Sequence, residues 1–273
     1  MKKALTVVTA VSLLLFSLLL SGCTQEPSFS VASFLAAPLV NIGSHTEDRI
    51  DSQLSSAASS EPVPASDTSS SETDMTGIPD IVSTIYEDPG NKLILVNKLY
   101  TVSPDYYPSD MVAVDRSLST NQGLYFKREA YEAYLKMLAD AKAEGINFCI
   151  CSTYRSYEVQ SILYNNAVNR DGAYYANITS AYPGRSEHQT GWAVDVTSAS
   201  MGYDLLQSFI DYPEGLWINN HCSEYGFIIR YPKGKTYITG YDYEPWHLRY
   251  VGVEAAKEIT ASGLTLEEYL GMA

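Results

Sequence analysis

Residues 186–195 read Ser186-Glu187-His188-Gln189-Thr190-Gly191-Trp192-Ala193-Val194-Asp195, and they constrain the fold more than any other stretch. They place an imidazole and a carboxylate seven positions apart. Fully extended, His188 and Asp195 would stand roughly 23 Å apart, at about 3.3 Å per residue. Two ligands of one metal ion need donor atoms only about 3 to 4 Å apart, each sitting about 2 Å from the ion. If the pair acts together, the segment must fold back on itself, and Gly191, free to take a positive φ, is placed to allow it. On these two residues alone, an ordinary hydrogen-bonded pair and a metal site are both open.

Composition shows where such a turn can be packed. All 22 tyrosines and all three tryptophans lie at Tyr86 or later. Residues 51–71 carry nine serines, with Pro62 and Pro64 interrupting any periodicity, a composition that cannot bury enough apolar surface to offset ordering entropy. We therefore expect a tether over residues 23–80 and a globular domain over 81–273, large enough for one core. A mildly apolar patch at 29–40 reads as a short helix without function, and His45 as solvated. Before the tether, Lys2 and Lys3 precede an apolar run at 4–20 and then Leu20-Ser21-Gly22-Cys23. This is the order of an export signal over residues 1–22, and the run is at the short limit for spanning a bilayer. Leu-Ser-Gly-Cys resembles the bacterial lipobox, which implies acylation of Cys23, a lipid anchor and a place on the outer face of the bacterial cytoplasmic membrane.

Without residues 1–22 the chain has 16 basic and 32 acidic side chains, a formal charge of −16. Phosphate backbones would be repelled and no basic stripe is present, so nucleic acid is excluded as a partner. Cys149, Cys151 and Cys222 are odd in number and include no CxxC pair. A cysteine zinc site is thereby disfavoured. Cys149 and Cys151 read as small buried groups on one face of a strand, with a bridge from one of them to Cys222 as the alternative.

Along the domain, residues 93–98 read as a strand, and 127–144 as the clearest helix, with Ala130, Tyr134, Met137, Leu138 and Ala141 at helical spacing and Gly145 as its stop. A strand over 146–151 runs into Arg155, and Ser156 is placed to cap the next helix. A loop rich in Tyr and Gly leads to the opening motif, whose second half, 192–196, alternates like a strand. A helix at 216–224, a strand at 227–231, a turn at 232–235 and helices at 253–261 and 266–270 follow. The irregular alternation, without a repeated βαβ period, predicts an α+β fold with a mainly antiparallel sheet flanked by helices.

Near the end, Glu244-Pro245-Trp246-His247 supplies a second imidazole and a spare carboxylate. Two histidines and one carboxylate with an open fourth position form a catalytic zinc arrangement, whereas structural sites are closed by four protein ligands. Glu244 suits a general base, and Pro245 restricts the backbone before it, holding the carboxylate at a fixed distance from His247. Alone, this second cluster reads equally well as a surface ion pair.

Together, Ser186-x-His188-x-x-Gly191-x-Ala193-x-Asp195 and Glu244-Pro245-Trp246-His247-x-Arg249-Tyr250-Val251-Gly252 resemble the zinc D-Ala-D-Ala carboxypeptidases of the VanY type. The resemblance extends through Leu95-Val96-Asn97-Lys98, Thr153-Tyr154-Arg155-Ser156 and Gly226-Phe227-Ile228-Ile229-Arg230-Tyr231-Pro232. It implies the D-Ala-D-Ala carboxypeptidase/Hedgehog-like zinc peptidase fold, with Zn2+ held by His188, Asp195 and His247, and with Glu244 taking a proton from the zinc-bound water and passing it to the leaving amine. Arg155 would stabilise the developing oxyanion or grip the substrate's terminal carboxylate, and Gln160 and Ser186 would line the carboxylate pocket. The implied substrates are peptidoglycan stem peptides losing a terminal D-alanine. LdcB-type L,D-carboxypeptidases acting on tetrapeptides share these motifs. A VanX-type dipeptidase fits an exported chain less well. A non-catalytic wall-binding module, by analogy with the Hedgehog signalling domain, is the reading from another class, and Glu244 argues against it. His221 reads as packing or hydrogen bonding, and Arg230 and Arg249 as structural ion-pair residues.

Overall fold

The computed structural model describes the backbone at 83–85 and the chain from residue 90 to 273. The expected signal segment, Cys23, the tether, the short helix at 29–40 and His45 lie outside the described residues.

The site rests on a four-stranded antiparallel sheet in the order β5 (Cys149–Ser152), β6 (Ala193–Thr197), β8 (Glu244–Tyr250), β7 (Phe227–Tyr231). Cβ directions alternate along a strand, so each strand divides its residues between two faces. Val194, Val196, Leu248 and Tyr250 turn into the larger core. There they meet α1 (Arg128–Ala143), which buries the apolar stripe expected of it: Ala130, Tyr134, Met137, Leu138 and Ala141. The other face carries Asp195, His247, Arg249 and Arg230. It also carries Ile228, which joins a smaller core with Leu95, Val251 and Ala256 beneath α6 (Val253–Ser262). All five residues of β6 are buried, so Asp195 belongs to a polar layer covered by protein.

Two smaller pairings flank this sheet. β1 (Ser83–Ile85) runs parallel to β2 (Tyr100–Val102), and β3 (Met111–Ala113) pairs antiparallel with β4 (Tyr125–Lys127). The strand expected at 93–98 does not form. Ile94 and Val96 enter the larger core and Leu95 the smaller one, so the run is buried on both sides. The carbonyls of Lys92 and Ile94 accept from Arg249 Nη2 at 2.9 and 2.7 Å. A guanidinium does here what a neighbouring strand does in a ladder. The loop expected before the central motif also differs, since it contains α3 (Ala173–Thr179). Gly172, at φ 83°, joins α3 to α2 (Tyr157–Asp171), and Tyr164, Ala167 and Ala176 pack between them. The glycine that reads as loop is the hinge of a helical corner. The helix expected at 216–224 begins earlier, as α4 (Pro213–His221) with Pro213 in its first turn, and passes into a 3-10 turn over Cys222–Tyr225. Two short helices, α5 (Thr236–Thr239) and α7 (Leu266–Tyr269), and 3-10 turns over Arg116–Leu118 and Gln207–Asp211 complete the described elements. Cys149, Cys151 and Cys222 are all free thiols, which removes the disulfide alternative.

The central motif folds back as its spacing requires. Glu187–Thr190 form a buried 3-10 turn ending at Gly191, whose φ is 72°. Thr190 Oγ1 donates to the Glu187 carbonyl at 2.6 Å and accepts from the Trp192 amide at 3.2 Å, locking the turn from inside. A Cβ on Gly191 would lie 3.0 Å from Met111 Sδ and 3.2 Å from Lys127 Cγ. Gly191→Ala is therefore expected to lower unfolding stability by about 1–3 kcal/mol, from left-handed strain and crowding. Denaturant unfolding measures the loss, and wild-type stability would contradict the turn's role.

Candidate metal centre and active site

Sheet register assembles the centre. Asp195 on β6 lies directly opposite His247 on β8, and the 3-10 turn returns His188 to the same carboxylate. Asp195 Oδ1 is 2.9 Å from His247 Nδ1, and Asp195 Oδ2 is 3.2 Å from His188 Nε2. Among the described residues, these three form the group of His, Cys, Asp or Glu side chains that could hold a metal ion, all buried, with ligand atoms within 4.8 Å of one another.

The donor chemistry fits zinc. His188 Nδ1 stands 2.6 Å from the Thr153 carbonyl, which can only accept, so Nδ1 carries the proton and Nε2 keeps its lone pair. Nε2 is buried without a hydrogen-bond partner among the described residues. Burial first, and then Arg155, holds the His188 imidazole down to about 4, against the pull of Asp195, so it is neutral at physiological pH. Burial alone would raise the Asp195 carboxyl, but the adjacent imidazoles, His188 foremost, keep it well below the usual carboxylate range. His247 behaves oppositely. Burial pulls it down, yet its contacts with Asp195 and Glu187 push it up to about 9.

Glu244 reaches the centre through an irregularity. On β7 Ile229 and Tyr231 are two positions apart, while their partners on β8, Leu248 and Glu244, are four apart. In a regular strand residues 244 and 247 would face opposite sides. The extra length, containing Pro245 with no amide to donate, cancels the alternation. Glu244 Oε2 thus lies 3.9 Å from His247 Nδ1, with its side chain 16% exposed against 5–6% for His247 and Asp195. Burial raises the Glu244 carboxyl to about 7; Asp195 adds to this, and His247, Arg155 and Lys98 oppose it. A carboxyl poised there can both take and return a proton near neutral pH.

Arg155 sits at the junction between β5 and α2, its backbone amide donating to the His188 carbonyl at 3.2 Å. Its Nη1 is 3.3 Å from Ser152 Oγ and 3.8 Å from Asp195 Oδ2, and the side chain is 18% exposed. Ser156 caps α2 as expected, accepting from the Val159 amide. Gln160 lies on the first turns of α2, 2% exposed, its Nε2 donating to the Ala181 carbonyl at 2.7 Å and its Oε1 without a hydrogen-bond partner among the described residues. Ser186 is buried at the start of the central turn. His221 stacks on Trp217 and contacts Glu224, away from the cluster.

Two participants were not assigned from sequence. Thr153 fixes the His188 tautomer through its backbone, which no side-chain pattern reveals. Glu187 stands inside the motif and receives Arg230 Nε at 2.7 Å and Arg249 Nη1 at 2.6 Å. The signal for it was two arginines on strand positions facing inward, which demand a buried acid.

The VanY family model, D-alanyl-D-alanine carboxypeptidase, matches residues 123–253. YodJ of Bacillus subtilis (strain 168), which carries a provisional carboxypeptidase name, is 46% identical over 186 residues, covering 67% of this chain and 68% of YodJ. Of solved structures, the LD-carboxypeptidase LdcB is 45% identical with a TM-score of 0.66, over 70% of this chain and 91% of that one. VanY from a VanB-type resistance cassette, a vancomycin resistance D,D-pentapeptidase crystallised in complex with Zn(II), is 32% identical with a TM-score of 0.57, over 66% and 98%. Fold, cluster and likeness together define a zinc-dependent peptidase. The chain belongs to the VanY family of D-alanyl-D-alanine carboxypeptidases.

Below about pH 9 His247 holds a proton that a metal-coordinating imidazole has to give up, so coordination through His247 at neutral pH would expel it. Zinc affinity is expected to climb with pH, by up to about tenfold per unit until the His247 proton is gone. A chelator should lower the Tm, and added zinc should restore it. Calorimetric titration in buffers of different ionisation enthalpy measures the proton count, and zero release at pH 7 would contradict the assignment.

Proposed function

We propose that the chain is a metallo-carboxypeptidase removing the C-terminal D-alanine from peptidoglycan stem peptides, with zinc held by His188, Asp195 and His247 and with Glu244 as the proton-transfer group. The observation that carries this reading is the Glu244 carboxylate, poised near neutrality at the exposed edge of the cluster and 3.9 Å from His247. Zinc, when bound, supplies Lewis acidity that polarises the scissile carbonyl and acidifies the attacking water. Glu244 takes the water's proton as the oxygen adds to the carbonyl carbon, then returns it to the departing D-alanine nitrogen as the C–N bond breaks. Arg155 puts a fixed positive charge beside the cluster, where it meets either the developing oxyanion or the substrate's terminal carboxylate. In a chain of net charge −14, such an anion has to be attracted locally. Gln160 and Ser186, both buried, line the terminal-carboxylate pocket in this reading. Cleavage is restricted to chain ends because only a free carboxylate meets the pocket's demand for negative charge.

A second reading, L,D-carboxypeptidase action on tetrapeptides, is favoured by the higher identity and TM-score to LdcB than to the VanY pentapeptidase. Both reactions release a terminal D-alanine and differ in the configuration of the residue before it. The lipobox-like Leu20-Ser21-Gly22-Cys23 supports placing the enzyme on the outer face of the membrane, anchored through Cys23. There polymeric wall peptides are the available substrates.

Incubation with purified tri-, tetra- and pentapeptide muropeptides, with products weighed by mass spectrometry, separates the two readings: loss of alanine from pentapeptide alone supports D,D activity, and loss from tetrapeptide L,D activity. Glu244→Gln is expected to keep zinc and lower kcat by at least about 100-fold. Wild-type turnover in that variant would sink the mechanism. Cys23→Ser should shift the protein from the membrane fraction to the medium, and unchanged fractionation would refute the anchor.

A further inference from the structure

Two buried polar atoms beside the cluster face each other. His247 Nε2 and Glu187 Oε2 are 3.5 Å apart, and neither has a hydrogen-bond partner among the described residues. Their side chains are 5% and 0% exposed, out of reach of bulk solvent, and leaving both bonds unmade is costly. The opposite edge of the ring is committed elsewhere, with Nδ1 2.9 Å from Asp195 Oδ1. The ring is held between the His188 and Tyr231 rings, each with its centroid 4.9 Å away.

The other Glu187 oxygen explains why this carboxylate cannot swing away. Oε1 accepts from Arg230 Nε at 2.7 Å and Arg249 Nη1 at 2.6 Å. Both arginines are anchored beyond it: Arg230 donates twice to Glu267, at 2.9 and 2.7 Å, and Arg249 to the carbonyls of Lys92 and Ile94. All these side chains are buried. Oε2 is thus aimed at His247 by groups that are themselves fixed.

We infer that Glu187 is a positioning residue: through Oε2 it accepts the Nε2 proton of His247, and thereby fixes Nδ1 as the atom that imidazole offers to the metal. This rests on the reading of His247 as a ligand. With the proton on Nδ1 instead, the Nε2 lone pair would point at a buried carboxylate, an arrangement both groups resist. A carboxylate behind a metal-binding imidazole orients the ring and raises its basicity, and removing such a partner costs about 10- to 100-fold in metal affinity. The alternative is that Glu187 only neutralises Arg230 and Arg249. The two differ in what they predict for the imidazole.

The test uses the full chain. In zinc-loaded wild type labelled with ¹⁵N-histidine, long-range ¹H–¹⁵N correlation should show the His247 proton on Nε2, and a proton on Nδ1 would overturn the inference even if no variant folds. Glu187→Gln should weaken zinc binding by about 10- to 100-fold in chelator competition and shift the His247 Nε2–H resonance. Glu267→Gln loosens the same charge network where it touches Arg230 and Asn97, and should change zinc affinity by no more than about twofold. Equal losses in the two variants would reduce Glu187 to a counter-charge. His247→Ala separates the premises: wild-type zinc affinity there removes the ligand reading, whereas a loss there with none in Glu187→Gln removes only the inference.

Discussion

The candidate centre depends on one cross-strand pairing, that of Asp195 with His247. Because neighbouring residues on a strand point to opposite faces, a one-residue slip between β6 and β8 would send one of the two into the larger core. Register is held by the rest of the same contact: Val194 opposite Leu248 packs against α1, and Ala193 opposite Arg249 leaves room for a guanidinium. The apolar face thus sets the alignment that the polar face uses. His188, from the adjoining turn, and Glu244, from the irregular end of β8, are then brought in by backbone geometry.

The cost of this arrangement is a layer of charge inside the protein. Asp195, Glu187, Glu267, Arg230 and Arg249 are all at most 4% exposed. Buried ions are tolerated only when paired and hydrogen-bonded. Here the pairs are chained, Glu267 to Arg230, Arg230 to Glu187 and Glu187 to Arg249, so each charge has a partner of opposite sign on at least one side. Burial also gives the centre its chemical character. With little water to screen them, neighbouring groups pull equivalent side chains apart, leaving His188 neutral while His247 holds its proton.

Much of this was legible in the sequence. The spacing from His188 to Asp195 demanded a fold-back turn, and Gly191 supplied it. The 3.6-residue stripe of α1 and the strand at 227–231 emerged at the expected places, and the antiparallel sheet followed from the absence of a βαβ period. The failures have a common physical origin. Ile94, Leu95 and Val96 read as strand because an apolar run signals burial without saying what satisfies its backbone, and here that is a side chain from 155 positions away. Gly172 looked like loop because a glycine marks a break and not what lies on either side. Glu187 passed unassigned because its importance lies in partners distant in sequence, Arg230 and Arg249.

Arg249 grips the backbone at Lys92 and Ile94, and it grips Glu187, whose other oxygen lies 3.5 Å from His247. The Lys92 carbonyl is therefore three contacts from the His247 imidazole. A shift of the backbone at Lys92 would pass through these buried charges to the His247 imidazole, so the packing of residues 92–94 and the geometry of the candidate centre are coupled.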